Sequence, residues 1–181
     1  MTDHQLAIAA VRFGDGDRID EVLETVVRAV QSRGYSAAGY LQRETPDGPG
    51  CCPATFLEDV SSGEQLRITQ ALGAGSRGCR LDPQALADIS GRLLSAIRPS
   101  TELLVLNRFG KGESDGHGFR SVIESACGLG VPVLTAVRET YEPAWSEFTA
   151  GIGTFLPPDA EAVTQWALGS TAVRRRTRDA A

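Results

Sequence analysis

The chain has 181 residues, 41% of them hydrophobic, enough to bury a substantial core as one domain. Its formal net charge of −5 argues against a nucleic-acid-binding protein, and no stretch approaches the roughly 20 apolar residues of a membrane span. Cys51, Cys52, Cys79 and Cys127 lack CxxC spacing, and four thiols in a chain of this size argue against a disulfide scaffold. The segment MTDHQLAIAAVRF carries an acidic residue where a signal peptide is positive, so a cytoplasmic chain without membrane insertion is expected.

In chain order, residues 5–11 read as a buried strand, residues 13–18 (FGDGDR) as an acidic turn, and residues 19–33 as a helix. Ile19, Val22, Leu23, Val26, Val27 and Val30 form its apolar stripe, and Gly34 ends it. Residues 35–42 follow as a second strand and complete a right-handed βαβ start. The turn stands where a nucleoside triphosphatase carries GxxxxGK[ST]. It has Gly14 and Gly16 but no lysine, no hydroxyl for magnesium, and Asp15, Asp17 and Asp20 in their place. Capping and the helix dipole account for Asp15 or Asp17 without invoking a ligand.

A turn-rich loop (ETPDGPGCCP) then leads to strands over 55–60 and 65–69, predicting an inserted hairpin at about 44–72. Cys51 and Cys52 with Cys79 are the one grouping a soft metal would suit; no metal site is assigned to them. Residues 70–82, QALGAGSRGCRLD, form a glycine-rich basic loop ending at the Asp82-Pro83 start of a helix over 84–97. Ser76, Arg77, Gly78, Cys79 and Arg80 are its candidate oxyanion contacts, through side chains and an exposed backbone nest.

The most organised stretch is residues 102–137. Leu103 to Leu106 suits a parallel strand covered on both faces; a loop with Gly110, Gly112, Gly116 and Gly118 leads to a helix over 119–129 and a strand over 131–137. Lys111, in that loop, is the single lysine among 18 basic side chains, and with Gly110 and Gly112 it is a candidate oxyanion or phosphate contact. A helix containing Trp145 and Phe148 and a short helix over 159–168 complete the domain (1–170), followed by the basic run RRRTR in a tail (171–181) expected to be disordered.

The order βαβ, hairpin, helix, LLVLNRFGKGE, helix, VPVLTAVRE resembles the small P-loop nucleoside-triphosphatase family, whose strand after the hairpin reads hhhhDEhGKhE. Gly110, Lys111 and Glu113 match that pattern, whereas Asn107 and Arg108 replace its acidic pair. The chain is still more similar to a related bacterial family of unknown function, associated with molybdenum transport, with RISQALG-, GCRLDP- and NKFGKxE-like segments. The resemblance implies an α/β fold with a mostly parallel sheet, helices on both faces and an inserted hairpin. It also implies a degenerate phosphate loop without ordinary ATP hydrolysis, since the lysine, the hydroxyl and both acidic residues are missing. The expected ligand is a small inorganic oxyanion, molybdate or tungstate, bound without another cofactor for storage or delivery. The alternative is a nucleotide-binding phosphohydrolase in which Gly14, Asp15, Gly16, Asn107 and Glu113 hold nucleotide and magnesium. A third reading is an interaction module, a homo-oligomer or the partner of a transporter or metalloenzyme.

Overall fold

The computed structural model describes residues 6–46, 48, 52–70 and 81–180. Five runs supply parallel strands: β1 (Ile8–Phe13), β2 (Ala37–Thr45), β5 (Leu103–Leu106), β6 (Val133–Arg138) and β7 (Thr154–Leu156). β3 (Ala54–Asp59) and β4 (Gln65–Arg67) add the hairpin. The sheet order is β4-β3-β2-β5-β6-β1-β7, antiparallel only at the β2/β3 and β3/β4 pairings. β1 and β2 are parallel, as a βαβ start requires, but β5 and β6 lie between them. Leu103 to Leu106 is buried at every position, as expected of a strand covered on both faces.

One face carries α1 (Ile19–Ser32) and α6 (Ala160–Asp179), whose Leu23, Val26, Val30, Val163 and Ala167 pack on Val11, Val105 and Leu134. The other carries α2 (Pro83–Ala96), α4 (Arg120–Gly128) and α5 (Glu142–Phe148), with Leu93, Ile123 and Trp145 against Ala10, Leu104 and Val133. The short α3 (Lys111–Ser114) interrupts the glycine-rich loop after β5. Asp82 caps α2 as predicted, accepting from the Gln84 and Ala85 amides at 3.0 and 3.2 Å.

Several expectations change. β2 runs on to Thr45 because the hairpin pairs with it, Thr45 opposite Ala54. β7, only three residues long, is too short to give a periodic signal and exists by pairing with β1. Helix replaces the disordered tail expected from residue 171: α6 continues to Asp179, with Thr171 fully buried. The physical reason is a partner distant in sequence, for Arg175 and Arg178 close on the carboxylate of Glu102.

Candidate functional site

The chain leaves β1 toward α1 on one face and leaves β6, through a 3-10 turn at Glu139–Tyr141, toward α5 on the other. These neighbouring strands therefore diverge at their carboxyl ends, where open α/β sheets bind ligands. A crevice of about 310 Å³ lies there, lined by residues 13–21 with Arg108 and Arg138. Arg108 follows β5 and Arg138 ends β6, so sheet register delivers both guanidiniums to the turn after β1.

Each cation in the crevice faces a carboxylate. Arg138 Nη1 is 2.7 Å from Asp15 Oδ1. Arg108 Nη2 is 3.4 Å from both oxygens of Asp20, while the Asn107 side-chain amide donates to Asp20 Oδ1 at 2.9 Å. Arg18 pairs with Glu21 at the rim. The guanidiniums of Arg108 and Arg138 lie 5.3 and 4.9 Å from the centre of the buried Phe13 ring. Asn107 Oδ1 and Arg108 Nε are buried without a hydrogen-bond partner.

Two sequence readings of the turn are corrected by this geometry. Asp17 does not cap α1, because its carboxylate accepts the Gly14 amide at 2.7 Å, and the cap position is Arg18, which makes no side-chain cap bond. Asp15 is not a cap either; it reaches across to Arg138. Of the set expected to hold nucleotide and magnesium, Gly14, Asp15 and Gly16 line the crevice and Asn107 bonds Asp20 beside it, whereas Glu113 does not line it.

The loop after β5 is built differently. Glu113 is 7% exposed, and its carboxylate accepts the amides of Gly110 at 3.0 Å and Phe119 at 2.9 Å. Gly118 has φ +62, and a Cβ there would collide with that carboxylate, so glycine is required by close approach as well as by conformation. The Gly110 amide, one of the donors expected to cradle an oxyanion, thus closes on the chain's own side chain, and both oxygens of Glu113 already accept a backbone amide. Lys111 extends away with its side chain 82% exposed, 3.6 Å from Asp115, and neither it, Gly110 nor Gly112 lines the crevice. Ser76, Arg77, Gly78, Cys79 and Arg80 lie outside the described residues. The flanks of their segment are joined at the hairpin edge by the Thr69–Leu81 bridge, four strand spacings from β6, or about 19 Å.

Sequence reasoning missed Arg108 and Arg138. The available signal was position: Arg138 closes the buried parallel run VLTAVR and Arg108 stands two residues beyond the end of LLVL, and such residues reach the carboxyl edge together.

Residues 8–166 match the profile described as "Protein of unknown function (DUF2478)". The chain belongs to this family. Within curated proteins, it is 35% identical over 172 residues to the molybdenum import ATP-binding protein ModC 2 of Bradyrhizobium diazoefficiens. That alignment covers 95% of the chain and 19% of the relative, so this DUF2478 chain spans about a fifth of the length of the protein it matches. Among solved structures, the solution structure of a human cancer-related nucleoside triphosphatase superposes with a TM-score of 0.66 at 12% identity, covering 92% of this chain and 96% of the other. The DUF2478 chain therefore has a P-loop nucleoside-triphosphatase-like fold, with the mostly parallel sheet and two helical faces anticipated from its sequence. No helix among the described residues is long and apolar enough to cross a membrane.

That fold implies a magnesium nucleotide, and the residues at its usual place do not fit one. The turn after β1 lacks the lysine and hydroxyl. Asp15 and Asp20 are engaged by Arg138 and Arg108, Asp17 accepts the Gly14 amide, and among the described residues no three His, Cys, Asp or Glu side chains form a metal-binding group.

Proposed function

We propose that this DUF2478 chain is a non-hydrolysing oxyanion-binding module serving molybdenum import, with molybdate or tungstate as ligand. One observation carries the reading: Arg108 and Arg138 converge on a glycine-containing turn at the switch point of a P-loop-like sheet, in a crevice without the lysine and hydroxyl of a triphosphatase. Guanidinium forks match the oxygens of a tetrahedral anion, and Gly14 and Gly16 let backbone approach it closely. The 35% identity to a molybdenum import ATP-binding protein supports molybdate and tungstate over other oxyanions. It also supports a cytoplasmic role beside such a protein, as buffer or delivery partner.

Titration calorimetry with molybdate, tungstate, sulfate and phosphate tests the reading. The expected outcome is binding to the wild type, loss in Arg108→Ala/Arg138→Ala, and retention in Lys111→Ala. Affinity indifferent to both arginines would remove the site assignment. The nucleoside-triphosphatase neighbour favours a second reading, nucleotide hydrolysis, which predicts magnesium-dependent phosphate release from ATP or GTP.

A further inference from the structure

The anion donors of the crevice are already engaged by the chain's own carboxylates. Asp15 takes Arg138, Asp20 takes Arg108 and the Asn107 amide, and Asp17 takes the backbone donor of Gly14. We propose that Asp15 and Asp20 are internal stand-ins for the ligand, so that an oxyanion binds by exchange with these carboxylates rather than by entering free space. The inference rests on the oxyanion reading above and concerns how that site sets its affinity and selectivity.

The two pairs differ in ways suited to exchange. Asp15 lies in a turn between Gly14 and Gly16, and its side chain is 95% exposed, so it can leave Arg138 without uncovering core. Asp20 holds Arg108 at 3.4 Å from each oxygen, longer than the roughly 2.7–2.9 Å of a close charge-assisted bond. The same contact leaves Arg108 Nε buried without an acceptor. An oxyanion lying along the Nε–Nη2 edge would give that donor its missing partner, an advantage the resident carboxylate does not have.

Exchange also determines which ligands succeed. Residues lining the crevice include Asp15, Asp17, Asp20 and Glu21 against Arg18, Arg108 and Arg138, so the site is not a general anion attractor. A monoanion offers an arginine no more charge than the carboxylate it must displace. A tetrahedral dianion offers more charge and more acceptor oxygens, so the stand-ins exclude chloride and simple carboxylates while admitting dianions such as molybdate, tungstate or sulfate.

The test is calorimetric titration of molybdate and sulfate into the wild type, Asp15→Asn, Asp20→Asn, Glu24→Gln and Arg108→Ala/Arg138→Ala, each checked for folding by circular dichroism. Glu24 stands one turn further along α1 than Asp20, outside the crevice, and pairs with Arg28 and Arg43, so Glu24→Gln makes the same charge change without freeing any arginine of the crevice. Asp15→Asn and Asp20→Asn are each expected to bind the dianion roughly tenfold more tightly than wild type, with Glu24→Gln within about twofold. Equal tightening by all three would reduce the effect to general charge and overturn the stand-in role. So would unchanged or weaker binding in the aspartate variants while the wild type binds through its arginines, which would leave the oxyanion reading intact. Binding by neither the wild type nor any variant would remove both.

Discussion

Arginine meets carboxylate at both edges of the sheet, with opposite consequences. At the amino edge, Glu102 is 2% exposed and accepts from Arg175 through both oxygens at 2.6 and 2.7 Å, from the Ser36 amide at 2.8 Å and from Arg178 at 3.3 Å. Arg175 also donates to the Gly34 carbonyl and lies 4.1 Å from the centre of the Tyr35 ring. At the carboxyl edge, Asp15 has one arginine and is almost wholly in water. The number of bonds converging on a carboxylate, and its access to water, separate a pair that fastens a helix from one that can be exchanged.

The largest effect should come from removing the buried carboxylate. Glu102→Ala leaves the Ser36 amide and two guanidiniums without their acceptor, at an expected cost on the order of 3 kcal/mol, read as a lower urea midpoint. The hydrogen bond from Arg175, helped by the Ser36 amide, holds the Glu102 carboxyl below its ordinary value of 4.5 despite burial. The stability it contributes is therefore fully present above about pH 4.5 and disappears as pH falls through the lower folded-state value. The wild type should lose its advantage over Glu102→Gln across that acidic window, whereas an advantage independent of pH would deny the ion pair its role.

A cost of about 2–3 kcal/mol is expected for Gly118→Ala, because the added methyl meets Glu113 and the backbone stays at positive φ. Its hydrogen-exchange signature should be confined to residues 110–120 at first opening, with oxyanion affinity unchanged. A change in affinity would tie this loop to the crevice after all.

Arg108→Ala/Arg138→Ala sharpens the contrast from the other side: the thermal midpoint should move by less than about 4 °C, since one pair is exposed and the other only part-buried with long contacts, yet anion binding should vanish. The smallest effect belongs to Lys111→Ala, which should alter neither stability nor affinity by a measurable amount. A loss of binding there would return the site to the glycine-rich loop.

The glycine-rich loop is ambiguous in sequence because its composition fits two structures. Glycines beside a lysine describe a phosphate cradle, and they equally describe a tight turn around a buried glutamate; only the closure of Glu113 on Gly110 and Phe119 distinguishes them. The tail misled for a related reason. RRRTR has the composition of a solvated end, and its acceptor stands 73 residues earlier in the chain.

Local pattern by itself determined the buried strands, the stripe of α1, the Asp82 cap and the missing lysine and hydroxyl in the turn after β1, because these depend on neighbours along the chain or on residue types alone. Tertiary structure alone decided that Arg108 and Arg138 share a crevice with Asp15 and Asp20, that β5 and β6 separate β1 from β2, and that the last helix is fastened at Glu102. Each of these depends on strand order and on charges brought together from distant segments, which no local periodicity encodes.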